Sequence, residues 1–322
     1  QVELAIPFAS LRFPDRDEQV WRLNFWRDRQ RDNRYKYSWA AQDRDNACWQ
    51  CQWGTLTGIR NVKPGSNLEI LPNIIGYQSG SVAETTNPGS DFSGADPDAE
   101  LALNVRYGLS TNSSLELTVN PDFSQVESDA GRIDVNETHA LFFPERRPFF
   151  QEGSDLFRSY YNVIHTRTIN DPIVAAKFTG QFGPYSIAYL AARDDNSPVS
   201  IPLRERSITG LAFENSTSNI LRARRTFAQD SYIGLILTDR RTDSFDDGAV
   251  GGGSGTVGAL DGRIRLNQNY ALEFGAYISH TAEPNAPDMI DVDGETFDYG
   301  AHTVALDGES FSGSAVYARL RR

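Results

Sequence analysis

Long apolar runs are the first thing missing from this sequence. No stretch of the 322 residues contains the ~18 consecutive apolar residues of a spanning helix, so helical membrane insertion is excluded. The opening Gln1-Val2-Glu3-Leu4-Ala5-Ile6-Pro7 also lacks the basic and apolar regions of a secretory leader. Positive charge is short: 31 Lys and Arg stand against 43 Asp and Glu, a formal net charge of −12. Phosphate binding needs an accumulated positive field, so no general nucleic-acid role is expected. Cysteine is confined to Cys48 and Cys51, in one C-x-x-C. Zinc would need two more ligands, and His139, His165, His280 and His302 are scattered; no βαβ pattern makes the pair thioredoxin-like. A disulfide in an oxidising compartment is the reading for Cys48 and Cys51. There is no Gly-rich phosphate loop, Gly251 to Gly255 reading as loop flexibility, and no Ser-His-Asp order suggests itself.

What is abundant points elsewhere. With 26 Gly, 15 Pro, 18 Phe, 13 Tyr and 5 Trp, the chain is rich in turns and aromatics and is no helical bundle. In Leu101-Ala102-Leu103-Asn104-Val105-Arg106-Tyr107-Gly108-Leu109 every odd position is large and apolar, while the even ones are small, polar or charged. That is a strand with two unlike faces. The pattern returns at 115–119, 174–182 and 270–278, and dominates from about residue 68 onward.

Short turns and long polar segments take turns along the chain. Short ones fall at 110–114, 182–184, 227–230, 266–269 and 307–309; long ones near 79–100, 121–172, 194–217, 241–254 and 281–300. An up-and-down transmembrane barrel has this asymmetry, with tight periplasmic turns and long extracellular loops. Its strands need only about 9–11 residues each, so an apolar content of 39% is no objection. A soluble sandwich or barrel also alternates and clusters its loops, so periodicity alone leaves both readings open. In the membrane reading Arg106, Glu116, Lys177, Arg263, Arg265 and Glu273 face a hydrated lumen, and Tyr77, Tyr107, Phe182, Tyr189, Tyr232 and Tyr277 are candidates for an interfacial girdle.

Residues 1–60 read differently. Short strands are expected at 2–8, 20–27 and 35–39, and all five tryptophans, Trp21, Trp26, Trp39, Trp49 and Trp53, fall here. They imply a dense small core or a stacking platform for a sugar ring, with Trp21 and Trp26 as candidate contacts. Three strands bury too little to stand alone, so further sequence is expected upstream.

The run Val119-Asn120-Pro121-Asp122-Phe123-Ser124-Gln125-Val126-Glu127, followed by Leu141-Phe142-Phe143-Pro144-Glu145-Arg146-Arg147-Pro148-Phe149-Phe150-Gln151-Glu152-Gly153, resembles a family of largely uncharacterised bacterial envelope proteins. Its members look like a domain similar to family-9 carbohydrate-binding modules joined to an outer-membrane β-barrel. Ile6 to Leu11 and the strand Trp21 to Arg27 resemble the end of that module, and Gly54 to Ile59 the connector into the barrel. The resemblance implies a fragment: remnant β-sandwich strands over 1–60, then an incomplete antiparallel barrel over 61–322 with about 11–13 strands. Counting a strand at 68–77 and five hairpins puts the two ends on opposite sides of the membrane, and the terminal Arg321-Arg322 lacks the aromatic residue that usually closes such barrels.

The block from Phe142 to Gly153 sets Glu145, Arg146, Arg147 and Glu152 among phenylalanines. One reading is a structural clasp, the arginines pairing with Glu145, Glu152, Asp122 or Glu127. The other is a constriction that binds an anionic or sugar substrate through Arg146 and Arg147. The carboxylates at Asp122, Glu127, Asp129, Glu145, Glu152 and Asp155 could include a glycosidase-like pair, which requires a separation of about 5–9.5 Å. The acidic loops at 91–98 and 288–295 offer hard oxygen donors for calcium, Asp291, Asp293 and Glu295 among them, although the spacing is not that of an EF-hand; a solvated acidic loop is the simpler account. No other cofactor is expected.

These readings converge on an all-β chain in the outer membrane of a Gram-negative bacterium, in contact with outer-membrane lipid, that binds or passes a glycan or another polar solute. An envelope-anchored glycan hydrolase and a soluble all-β binding protein are the alternatives.

Overall fold

The computed structural model describes the chain apart from residues 1–2, 9–10, 12, 44–45, 47, 64–66, 79, 83–91, 95, 122–144, 196, 203–206, 214, 229–230, 245–249 and 288–304. Asp122, Glu127, Asp129, Asp291, Asp293 and Glu295 therefore lie outside the described residues.

The first part holds β1 (Glu18–Leu23), β2 (Trp26–Gln30), β3 (Arg34–Ser38) and β4 (Gly54–Arg60). β1 pairs with β4 and β2 with β3, giving two separate antiparallel pairs. The strand expected over 20–27 is divided because the Asn24 carboxamide accepts the backbone N–H groups of Phe25 at 2.9 Å and Ala40 at 3.0 Å. An Asn side chain that bonds nearby backbone competes with the ladder and turns the chain. Residues 3–7 form no strand, contrary to the alternation there. Cys48 and Cys51 form a disulfide with their Cα atoms 5.3 Å apart.

The remaining strands are β5 (Leu68–Tyr77), β6 (Gly80–Val82), β7 (Phe92–Gly94), β8 (Asp98–Ser110), β9 (Ser113–Val119), β10 (Pro172–Phe182), β11 (Tyr185–Asp194), β12 (Ser197–Pro202), β13 (Ser207–Phe213), β14 (Ser216–Ala228), β15 (Ser231–Thr242), β16 (Ser254–Arg265), β17 (Ala271–Ala282) and β18 (Ser310–Arg321). Ten of them form one antiparallel sheet in the order β5-β8-β9-β10-β11-β14-β15-β16-β17-β18, a meander in which every neighbour is the next strand of the sheet along the chain. The pairs β6–β7 and β12–β13 are small hairpins set within two of the long connections. Short and long connections alternate as the turn spacing predicts. Among the described residues β5 and β18 are edges, and the sheet is unclosed.

The sheet has ten strands among the described residues, and the expected count of eleven to thirteen over 61–322 takes in residues outside them. One expectation is corrected. Asp307-Gly308-Glu309 ends a long connection and is no hairpin turn, because β17 pairs along its whole length with β18 and leaves no edge for a strand between them. The start of β5 and the end of β18 consequently lie on the same side of the sheet, the side of the short turns, and not on opposite sides.

The two faces are opposite in character to those of a soluble sheet. In β9 the inward Ser114, Glu116 and Thr118 are buried while Leu115, Leu117 and Val119 point outward and are exposed. Lys177, Arg222 and Asp261, on β10, β14 and β16, are 1% exposed; Leu101, Leu260, Ile278 and Val316 are 72%, 57%, 67% and 75% exposed. Of the aromatic girdle candidates, Tyr107, Phe182 and Tyr189 are outward and exposed. Tyr277 is instead buried on the inward face, and Tyr232 lies inward beneath a guanidinium. Their odd and even parity along β17 and β15 decides this, since a strand sends successive side chains to opposite faces.

The apolar band crosses the strands on a slant. Its upper margin lies at Val174 in β10, paired in register with Arg193 of β11, and at Val316 in β18, with Ser314, Ser312 and Ser310 above. The pairing register carries Val316 through Ala276, Leu260, Leu235, Ala223 and Ile187 to Gly180, about six residues or ~20 Å beyond Val174. Across the roughly 29 Å from β10 to β18 at about 4.8 Å per strand, that is a slope of about 35°.

Candidate functional site

The inward face is covered by the connection between β9 and β10. Of this connection, residues 145–171 form an inlay of short turns: the single helical turn α1 (Pro148–Gln151) and 3₁₀ turns at Ser154–Phe157 and Thr166–Thr168. Pro148 at the first helical position and Gly153 at φ 69° begin and end α1, since proline presets the helical φ and glycine takes the left-handed one without strain. No hairpin is present over the described part of this connection.

Side chains of the sheet hold the inlay largely by its backbone. Lys177 Nζ donates to the Phe149 carbonyl, to the Glu152 carbonyl at 2.9 Å and to Glu116 Oε2 at 2.9 Å. Arg222 Nε donates to the Leu156 carbonyl at 3.2 Å, while its two terminal nitrogens grip Asp261 at 2.6 and 2.9 Å. Asp194 accepts the backbone N–H groups of Asn170 at 2.9 Å and Asp171 at 2.6 Å. Beneath these contacts, Phe150, Phe157 and Ile169 of the inlay pack on Ala175, Ala188, Leu190, Ala192 and Ile220 of the sheet. Farther along, Tyr160 stacks on Tyr317 at 4.1 Å and Tyr161 meets Tyr277 edge-on at 5.1 Å. Buried charges are tolerated here because each has a partner and a hydrogen-bonded frame.

Within the inlay, Arg147 and Glu145 form a fork. Arg147 Nε donates to Glu145 Oε1 at 2.9 Å and its terminal nitrogen to Oε2 at 2.8 Å; the same guanidinium serves the carbonyls of Thr166 at 2.8 Å and Ile169 at 2.5 Å. Four of its five donors are thereby engaged, and its plane lies 4.2 Å over Phe150. The Thr166 hydroxyl donates to Glu145 Oε2 at 2.7 Å. Burial opposes ionisation of Glu145, yet the hydrogen bonds from Arg147 and Thr166 outweigh it and hold the carboxyl below the usual carboxylate range. Glu152 pairs with Arg106 of β8. Asp171, at the other end of the inlay, is pushed up by burial and by the nearby Asp195 and Glu100.

The structure thus brings Glu145 and Arg147 together within the inlay, with Arg146 contributing its backbone N–H to Glu145 at 3.1 Å, and pairs Glu152 separately with Arg106 of the sheet. Trp21 and Trp26 are elsewhere, in the first part of the chain. Trp21 packs with Phe8 at 5.9 Å and Phe13 at 5.5 Å as a small core. Trp26 stacks on Trp49 at 6.0 Å and 8°, both indoles are exposed, and Lys36 Nζ sits 5.5 Å from the Trp26 ring. Among the described residues no group of three or more His, Cys, Asp or Glu could hold a metal ion.

Sequence reasoning missed Arg222 and Asp261, the most buried ion pair among the described residues. The clue was present: each is a charge at the polar parity of an alternating strand, and Gly234, in register with Asp261, leaves room for Arg222 to reach across from one inward position farther along β14. A Cβ on Gly234 would lie 2.5 Å from the Arg222 guanidinium and 2.6 Å from the Asp261 carboxylate.

A family model described as a domain of unknown function (DUF5916) matches residues 73–178, from within β5 to within β10. This stretch contains the runs at 119–127 and 141–153, whereas the segments at 6–11, 21–27 and 54–59, on which the likeness to a carbohydrate-binding module and its connector rests, lie outside it. No curated protein matches the chain. Among solved structures, the chain is similar to OmpT with loop L8 deleted, an outer membrane protein of Vibrio cholerae (8% identity, TM-score 0.32, 79% of this chain and 88% of that one). It is also similar to in-vitro folded OmpT of the same organism (9% identity, TM-score 0.31, 79% and 81%) and to its trimer form (9%, 0.33, 79% and 82%).

Proposed function

We propose that this chain forms an outer-membrane β-barrel wall of a Gram-negative bacterium, with residues 145–171 lining or plugging its lumen, and that it binds or passes a polar solute. The reversed amphipathicity of the sheet carries the reading. Exposed Leu, Ile and Val rows cost free energy in water and gain it in lipid, whereas ion pairs such as Lys177–Glu116 and Arg222–Asp261 belong on a hydrated or protein-filled inside. The slant of the apolar band supports it, because barrel strands tilt by about 35–45° and a bilayer of fixed thickness must then cut the sheet obliquely.

The test is heat-modifiable migration of the protein from outer-membrane fractions, with conductance in planar bilayers. A mobility shift on boiling and discrete conductance steps are expected. Solubility without detergent and an unshifted band would overturn the reading. The glycan part rests on the exposed Trp26–Trp49 stack with Lys36 beside it, a flat face suited to a sugar ring. Trp26→Ala should weaken retention on immobilised β-linked glycans, and unchanged retention would remove the glycan from the proposal.

A further inference from the structure

We propose that the short-turn end of the inward face, across β14 to β18, is an anion site built on Arg224 and completed by Arg263 and Arg319, for a solute bearing phosphate or carboxylate groups. The inference deepens the proposed function by giving the polar solute a charge class, and it rests on that reading for the solute's access to this face.

The pairing register sets the residues side by side. One inward row runs Arg224, Gly234, Asp261, Gly275 and Tyr317; the next runs Thr226, Tyr232, Arg263, Glu273 and Arg319; Arg265 and Arg321 follow. With Arg222, six guanidinium groups share this end of the sheet with two carboxylates of the sheet, in a chain whose net charge is −12. Both carboxylates are committed. Asp261 is held by both terminal nitrogens of Arg222, and Glu273 is shared by Arg263 at 3.4 Å and Arg321 at 3.1 Å. The inlay adds only Asp155, which acts on Arg224 through space without pairing to it.

Arg224 is the group left over. Its guanidinium lies 4.3 Å over the Tyr232 ring, and among the described residues its buried Nε has no acceptor. Asp261 and Asp155 act on it only through space, so this cation, partly withdrawn from water and braced on an aromatic face, makes no ion pair among the described residues and is arranged to receive a counter-charge. The planar fork of a guanidinium matches the paired oxygens of phosphate or carboxylate. The space over Gly234 is filled by the Arg222–Asp261 pair and that over Gly275 by the Tyr317 ring, so the row beside Arg224 is closed on that side and the free approach is from the short turns. A lipid headgroup offers the same chemistry but would meet the outward face of this rim, where Arg225 lies 5.6 Å from the Tyr185 ring.

The test is calorimetric titration of the full chain, refolded in zwitterionic detergent at low ionic strength, with inorganic pyrophosphate. Saturable binding is expected, weakened roughly tenfold or more by Arg224→Gln and less by Arg224→Lys. Arg225→Gln removes the same charge from the other face and should leave affinity within about twofold. If Arg224→Gln fails to refold, Arg319→Gln on the exposed last strand carries the test with the same expected direction. Absence of saturable binding, or equal weakening by Arg225→Gln, overturns the site. Boiled and unboiled samples of the same preparation report the barrel separately: a mobility shift without binding sinks the site alone, and binding without a shift keeps the site while removing the barrel.

Discussion

Replacing Leu260 by arginine distinguishes a lipid-facing sheet from a water-facing one. Leu260 sits mid-strand in β16, 57% exposed, between Leu235 of β15 and Ala276 of β17 on the outward face. In a soluble protein an exposed Leu→Arg change falls within about ±0.5 kcal/mol. At the midplane of a bilayer the same change costs about 2–4 kcal/mol, roughly 30-fold to 800-fold in the folding equilibrium. Leu320, 61% exposed at the short-turn end of β18 between Arg319 and Arg321, is the control: near the interface Leu320→Arg should cost only about 0–1 kcal/mol. The assay is guanidinium denaturation of protein folded into phosphatidylcholine vesicles, followed by the circular dichroism of the strands and by mobility without boiling, since all five tryptophans lie outside the ten-stranded sheet. Equal midpoints for wild type and Leu260→Arg would refute the lipid-facing assignment, and so would a larger loss at Leu320 than at Leu260.

The Arg222–Asp261 pair gives a second expectation in the same assay. Arg222→Met or Asp261→Leu alone should cost about 3–5 kcal/mol by stranding a buried charge, and the double variant should recover much of that loss; additive losses would deny the coupling. Gly234→Ala should destabilise by about 1–3 kcal/mol although alanine ordinarily suits a strand better than glycine, because the added Cβ intrudes on both partners; a stabilised variant would show that the pair shifts freely. A fourth concerns pH. Since the folded Glu145 carboxyl titrates below its unfolded value, its contribution is complete above the ordinary carboxylate range near pH 4.3 and is lost as pH falls through the lower folded value. Proteolysis within 145–171 should therefore accelerate on acidification below about pH 4, and Glu145→Gln should show the acid-exposed cleavage rate already at neutral pH. A variant as resistant as wild type at neutral pH would mean that the Arg147–Glu145 fork does not secure the inlay.

Much of the sheet was legible because alternation is a local property. Leu115-Glu116-Leu117-Thr118-Val119 declares two unlike faces whatever lies beside it, and the turn at Gly183-Pro184 declares a hairpin. The strand count was not legible at 307–309, where Gly308 at φ 86° and its acidic neighbours look like a hairpin turn but only close a long connection. Nor was the break at Asn24, which depends on Ala40 arriving within 3.0 Å. The partners of the Phe142–Gly153 block divided the same way. Glu145 and Arg147, two residues apart, could be paired on sight, whereas Glu152 with Arg106 and Lys177 with Phe149 join positions tens of residues apart.

Composition and period alone determined that this is an antiparallel all-β chain with one greasy and one polar face. They could not say which face is covered, since a strand's alternation is identical whether its apolar side meets lipid or a second layer of protein. Tertiary structure decided that, by laying residues 145–171 over the charged side and leaving the aliphatic side bare, because only long-range pairing fixes what each row of side chains meets.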